Sequence, residues 1–129
     1  MSIDAFRLLP DEDLYTSLQM RAKQWPAAFV LSCVGSLARV AIRLADAPEA
    51  IHLAGPFEIL SLSGTCCPDG LHLHISVADR NGKVMGGHLK AGSIVHTTAE
   101  LVIGIAGNKQ FSRRQDPETG WLELSVSHT

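Results

Sequence analysis

Three histidines stand close together in this chain: His72 and His74, one residue apart, and His88 a short way downstream. In Leu71-His72-Leu73-His74-Ile75-Ser76-Val77 the odd positions are apolar and the even ones polar, the alternation of a strand with one face in the core. His72 and His74 therefore share a face. The rise along a strand puts their Cβ atoms about 7 Å apart, close enough for two imidazoles to converge on one ion.

Where His88 lies depends on how the chain reverses. Asp79-Arg80-Asn81-Gly82 has Asp first and Gly fourth, as a type I turn prefers, and a three-residue loop built on it pairs Asp79 with Lys83. Counted back in register, that closure sets His88 opposite His74 on the polar face. A two-residue turn at Asn81-Gly82 would instead place Leu89 opposite His74. His88 would then point away unless Gly86-Gly87 formed a bulge. Both closures are open on the sequence, and the first needs fewer assumptions.

Three neutral imidazoles with a fourth position left to water form the open coordination of a catalytic zinc site, whereas a structural site supplies four protein ligands. Zinc or a similar divalent transition metal suits this donor set. Water held there could act as a nucleophile near neutral pH, or a carbonyl oxygen could be polarised. Glu58 and Glu100 are the candidate acids or bases, and either could instead orient a ligating ring. His52 and His96 lack such partners and read as surface or interface residues, and His128 reads as part of a frayed tail.

The elements that would position these residues follow from periodicity and punctuation. Leu14, Leu18 and Ala22 recur at helical spacing behind Pro10-Asp11-Glu12-Asp13, which predicts a helix over about Asp11 to Gln24, ending before Pro26. Strands are expected at AAFVLSCV and, after a break at Gly35-Ser36, at ARVAIRLA. Residues 46–55 read as a connection, followed by strands at EILSLSG, LHLHISVAD, KVMGGHL and IVHTTAELVIGIA. GNKQFSRRQDPETG reads as a polar loop and WLELSV as a last strand. One early helix followed by many strands predicts a single α+β domain over residues 1–129, a mainly antiparallel sheet or partly open barrel. The run from Ile94 to Ala106 is apolar on both parities, which predicts that one of its faces meets another subunit.

GPFEILSLSGT at Gly55–Thr65 and LHLHISVADRNGKVMGGHL at Leu71–Leu89 resemble the central signature of the plants-and-prokaryotes-conserved (PPC) domain family. The upstream PDEDLYTSLQMRAKQW and CVGSLARVAIRLA match as well, so the resemblance covers nearly the whole chain. It implies an α+β fold assembled as a homotrimer, with the GGH segment and the H-x-H strand near a subunit interface. Plant members join this domain to an AT-hook and regulate transcription, and single-domain bacterial and archaeal members carry a DNA-binding label by association. Some prokaryotic members resemble the metal-dependent acetolactate decarboxylases in fold, and His72, His74 and His88 occupy the places of the histidine trio used there. The arginine and acidic residues on which that decarboxylase also depends have no aligned counterpart in this sequence.

Composition sorts the functions that remain. A net charge of −2 over 129 residues gives no electrostatic footprint for a phosphate backbone, and no AT-hook is present, both of which argue against direct DNA contact. Arg113-Arg114 is the one basic pair and reads as a solvated loop. No apolar run reaches the length of a membrane span, and the acidic start MSIDAFRLLPDEDL lacks the features of a signal peptide, so the expected location is cytoplasmic. Cys33 and the adjacent Cys66 and Cys67 are expected as reduced thiols. Phe57, Ile59, Leu60 and Leu62 are expected in core and interface packing. Three classes of function stay in play: a regulatory or DNA-associated trimer with protein partners, a small metal-dependent enzyme, and a sensor of a carbonyl or carboxylate ligand without turnover.

Overall fold

Residues with a preference for extended backbone, alternating with polar ones, occupy most of the chain, and strands dominate accordingly. The computed structural model describes residues 1–129 as β1 (Ser2–Leu8), α1 (Leu14–Ala22), β2 (Ala28–Arg43), β3 (Ile51–Cys67), β4 (Gly70–Ala78), β5 (Val84–Leu89), β6 (Ile94–Ile105), β7 (Lys109–Gln115) and β8 (Leu122–His128). Six strands pair antiparallel in the order β1-β6-β2-β3-β4-β5, while β7 and β8 make a separate hairpin. The α+β, mainly antiparallel architecture read from the sequence is the one observed.

Closure of the sheet rests on β2. Its edge facing β6 is paired from Ala28 to Arg39, and beyond that point Ile42 and Arg43 pair with Leu89 and His88 of β5. The sheet therefore curls back on itself and partly closes. Leu14, Leu18 and Ala22 of α1 are buried in the same apolar cluster as Leu73, Ile75 and Val77 of β4, so the helix packs on the inner face. Its first turn is capped by Asp13, whose side chain accepts from the Thr16 N–H at 3.1 Å.

Several boundaries differ from the sequence expectation, each for a physical reason. The helix is shorter because Asp11 adopts a positive φ of 74° and donates its N–H to the Val95 carbonyl, tying this turn to β6. Gly35-Ser36 does not break β2. Its missing Cβ lets the Thr98–Ala99 backbone approach, and the irregularity appears as a shift of register against β6. β3 starts at Ile51 and runs through Pro56, which falls in the irregular stretch between the pairs Arg39↔Ala54 and Leu37↔Phe57, where proline's missing donor costs no regular ladder bond. The polar segment after Asn108 pairs as β7, and the tail containing His128 is its partner strand. β1, which the sequence reading did not anticipate, is held by seven antiparallel pairs with β6, from Ser2↔Ile105 to Leu8↔Ala99.

The cysteines are free thiols, as expected, and all three are buried, Cys33 within β2 and Cys66-Cys67 at the end of β3 next to the turn into β4. Burial pushes the thiols of Cys33 and Cys66 up to about 12, which keeps them protonated and unreactive at neutral pH. Phe57, Ile59 and Leu62 are in the core, whereas Leu60 is 52% exposed. Within β6, Val95, Ala99, Leu101 and Ile103 are buried and Val102 is half-buried. No helix is long and apolar enough to cross a membrane.

Candidate metal centre

The β4–β5 hairpin closes by the three-residue route. Asp79 donates its N–H to the Lys83 carbonyl at 2.9 Å, Gly82 donates to the Asp79 carbonyl at 2.9 Å, and the Asp79 carboxylate accepts from Asn81 and Lys83 N–H groups. Pairing then runs without a bulge from Ala78↔Val84 to His74↔His88. Leu73, Ile75 and Val77 point into the core, leaving His72 and His74 exposed on the opposite face.

Glycine at position 87 lets β5 lie close against β2. A Cβ there would stand 2.7 Å from Ile42 Cγ2 and 2.8 Å from the Arg43 carbonyl oxygen. Gly86 likewise lies close to β4, where a Cβ would stand 2.6 Å from the Ile75 carbonyl oxygen, and the pair forms no bulge against β4.

The three imidazoles form one group. Ring centroids are 5.3 Å apart for His72–His74, 5.5 Å for His72–His88 and 4.7 Å for His74–His88. One nitrogen from each ring lies within 4.8 Å of the other two. Metal–nitrogen bonds of 2.0–2.1 Å in tetrahedral geometry need nitrogens about 3.3 Å apart, a difference that small side-chain rotations of the exposed His72 and His74 and the half-buried His88 can close. The donor set fits a divalent transition ion and leaves a coordination position for a non-protein ligand.

The surroundings favour the neutral, ligating form of two rings. Partial desolvation, reinforced by the guanidinium of Arg113, holds His72 below its ordinary value, and partial desolvation with the guanidinium of Arg43 does the same for His88. Arg43 reaches this place because it is the direct cross-strand partner of His88. Arg113 arrives on β7, where its guanidinium donates to Thr65 Oγ1 at 2.7 Å and its backbone N–H donates to the Asp69 carboxylate at 3.0 Å.

A cleft of about 780 Å³ opens beside His72 and His88, walled by Arg43, Lys90 and Arg113 together with Asp46, Asp69 and Glu123. Trp121 stands at its edge. Glu58 and Glu100, the acidic residues singled out from the sequence, lie elsewhere: Glu58 pairs with Ala78 at the turn end of the hairpin, and Glu100 pairs with Arg7 and Val34 on β6. Neither lines the cleft or joins the histidines. Glu123 is the carboxylate whose charge reaches His72. His52 and His96 are exposed and apart from the cluster, and His128 contacts the Lys109 ammonium at 3.0 Å. Sequence reasoning passed over Arg43 and read Arg113 with Arg114 as a solvated loop, whereas Arg113 lies on β7 in the cleft wall, because strand closure and the β7–β8 hairpin bring the two guanidinium groups in; the polar position of Arg43 in ARVAIRLA was the one local sign.

Comparison with known proteins gives a consistent set of similarities. The model of the Plants and Prokaryotes Conserved (PCC) domain matches residues 1–107. The bifunctional protein GlmU of Synechococcus sp. (strain JA-3-3Ab) is 51% identical over 122 residues, 93% of this chain but 20% of that protein. The chain thus spans about a fifth of the length of the curated relatives it matches. A hypothetical protein from Salmonella cholerae-suis superposes with a TM-score of 0.96 at 40% identity, covering 98% of this chain and 94% of that one. A metal-containing protein from Archaeoglobus fulgidus superposes with a TM-score of 0.77 at 27% identity, covering 97% of this chain and 94% of the other.

Proposed function

The chain belongs to the Plants and Prokaryotes Conserved family, and on that footing we propose that it is a metal-dependent binding domain in which His72, His74 and His88 hold one divalent transition ion, zinc or similar. The convergence of three imidazole nitrogens within 4.8 Å carries this reading. The similarity to a metal-containing protein from Archaeoglobus fulgidus supports it. When bound, such an ion supplies Lewis acidity and an open position for an oxygen ligand. The chain's own residues contribute neutral imidazoles, a cleft beside them and cationic side chains along its wall.

The family association with DNA is the competing reading, and charge weighs against it. The chain carries eleven Lys and Arg residues against thirteen Asp and Glu, and the three basic side chains of the cleft, Arg43, Lys90 and Arg113, are interleaved there with Asp46, Asp69 and Glu123. Assembly as a homotrimer is part of the proposal. It rests on the family resemblance and on exposed apolar side chains such as Val34, Leu60 and Val84, at 61%, 52% and 56% exposure. A family match lying within a longer relative suits a module that works beside other domains.

Metal content by mass spectrometry, on protein purified without a histidine tag, tests the reading. The expected result is about one zinc or similar ion per chain, lost in His74→Ala and His88→Ala while the trimer mass persists. Wild-type protein that takes up no ion even when zinc is offered overturns it.

A further inference from the structure

We infer that the cleft beside the imidazoles is a binding site for a small dicarboxylate, one carboxylate directed to the histidine-held metal and the other to Arg113, Arg43 and Lys90. The inference builds on the metal reading above and names the class of ligand for the same site. Three observations carry it. The cleft, at about 780 Å³, lies in the range of small-molecule sites and is walled by both His72 and His88 and by all three cations.

The hydrogen bonds that fix the two guanidinium groups go to neutral acceptors. Arg113 donates to the Thr65 hydroxyl at 2.7 Å and Arg43 to the Ala47 carbonyl at 3.2 Å. Lys90 is fixed through its backbone, which donates to the Ala41 carbonyl at 3.0 Å, leaving its ammonium free to meet a ligand. The two guanidinium heads are thus positioned, the Lys90 ammonium stays unpaired, and all three keep donors available for an anion.

The third observation is the balance of charge. Arg43, Lys90 and Arg113 are offset in formal charge by Asp46, Asp69 and Glu123, all on the cleft wall. A divalent ion on neutral imidazoles then leaves the cleft with an excess of two positive charges, which a dianion matches. Asp69 is already engaged by the Arg113 N–H at 3.0 Å, so its carboxylate steadies the wall rather than competing for the ligand position.

Succinate is the probe, titrated against the zinc-loaded chain of 129 residues, with succinamide as a neutral analogue of the same length and inorganic phosphate as a second anion. Trp121, 70% exposed at the cleft edge, supplies a fluorescence signal, while Trp25 at 6% exposure gives a constant background. Saturable succinate binding is expected, weakened about tenfold or more in Arg113→Gln and in Lys90→Gln with zinc content unchanged. Arg80→Gln, at the far turn of the hairpin, is expected to bind as wild type does.

Lys90→Gln keeps the test valid if Arg113→Gln fails to fold. Equal binding of succinamide, tighter binding of phosphate than of succinate, or undiminished succinate affinity in the folded variants overturns the assignment. Zinc binding without any succinate binding overturns it while the metal reading stands. Charge-dependent succinate binding by a protein that takes up no zinc overturns both the metal reading and the two-ended assignment, leaving only an anion contact at the cationic wall.

Discussion

At the scale of single residues, the candidate centre is a matter of protonation. His72 and His88 both titrate below the ordinary histidine value of 6.5, through partial desolvation followed by neighbouring guanidinium groups. Their folded-state values are depressed, so the unfolded chain binds protons first as pH falls. These two groups leave stability unchanged above about pH 6.5 and lower it as pH drops through that value toward the depressed ones. Metal occupancy should have the same sign, since protons compete for the same nitrogens. Urea midpoints of metal-free protein measured between pH 7.5 and 5 should fall more steeply in wild type than in a His72→Ala, His88→Ala double variant. Parallel curves for the two proteins would refute the assignment of this dependence to the pair.

At the scale of elements, the position of His88 depends on how closely β5 lies against β2. A side chain at Gly87 would meet the Arg43 carbonyl oxygen at 2.8 Å, and backbone at that distance cannot yield without disturbing the Arg43↔His88 pair. Gly87→Val is expected to destabilise by about 1–3 kcal/mol and to weaken metal binding with it. Gly107→Ala, where a Cβ meets nothing within 4 Å, should fall within about 0.5 kcal/mol of wild type. Chemical denaturation beside a zinc titration separates the two variants, and a silent Gly87→Val would show that β5 tolerates being lifted from β2.

The β4–β5 hairpin was legible in the sequence because everything that fixes it is local. Alternation in LHLHISV chooses the face, Asp79 with Gly82 favours the three-residue turn over the two-residue one at Asn81-Gly82, and with that turn formed the register of His88 follows by counting. Arg43 reaches the site through a strand pairing across residues 43 and 88, and Arg113 and Glu123 through a hairpin set against β3, none of which leaves a mark in a short window. Glu58 and Glu100 were weighed on nearness in sequence, and the sheet carries them to other places. Gly35 and Pro56 were read as punctuation, whereas within long strands both mark register shifts.

At the scale of the whole molecule, a bound ion should stabilise the fold by mass action. With ligand at a hundred times its dissociation constant, the expected gain is about 2.7 kcal/mol, provided the unfolded chain binds none. Thermal unfolding with and without zinc at pH 7.5 should therefore show a rise in Tm that is absent in His74→Ala. No rise in wild-type protein carrying its ion would mean that folded and unfolded chains bind it equally well.

That proviso acquires weight from the shortness of the hairpin. All three nitrogen donors lie between residues 72 and 88, so a denatured chain has only a small loop to close before it can chelate, and the entropy of closing so short a loop is modest. Unfolding would then dismantle the cleft and the Arg43 contact while part of the ion's grip survives. The ion's affinity for the native protein should therefore exceed what its effect on Tm accounts for, and the shortfall measures how much of the chelate belongs to the peptide and how much to the fold.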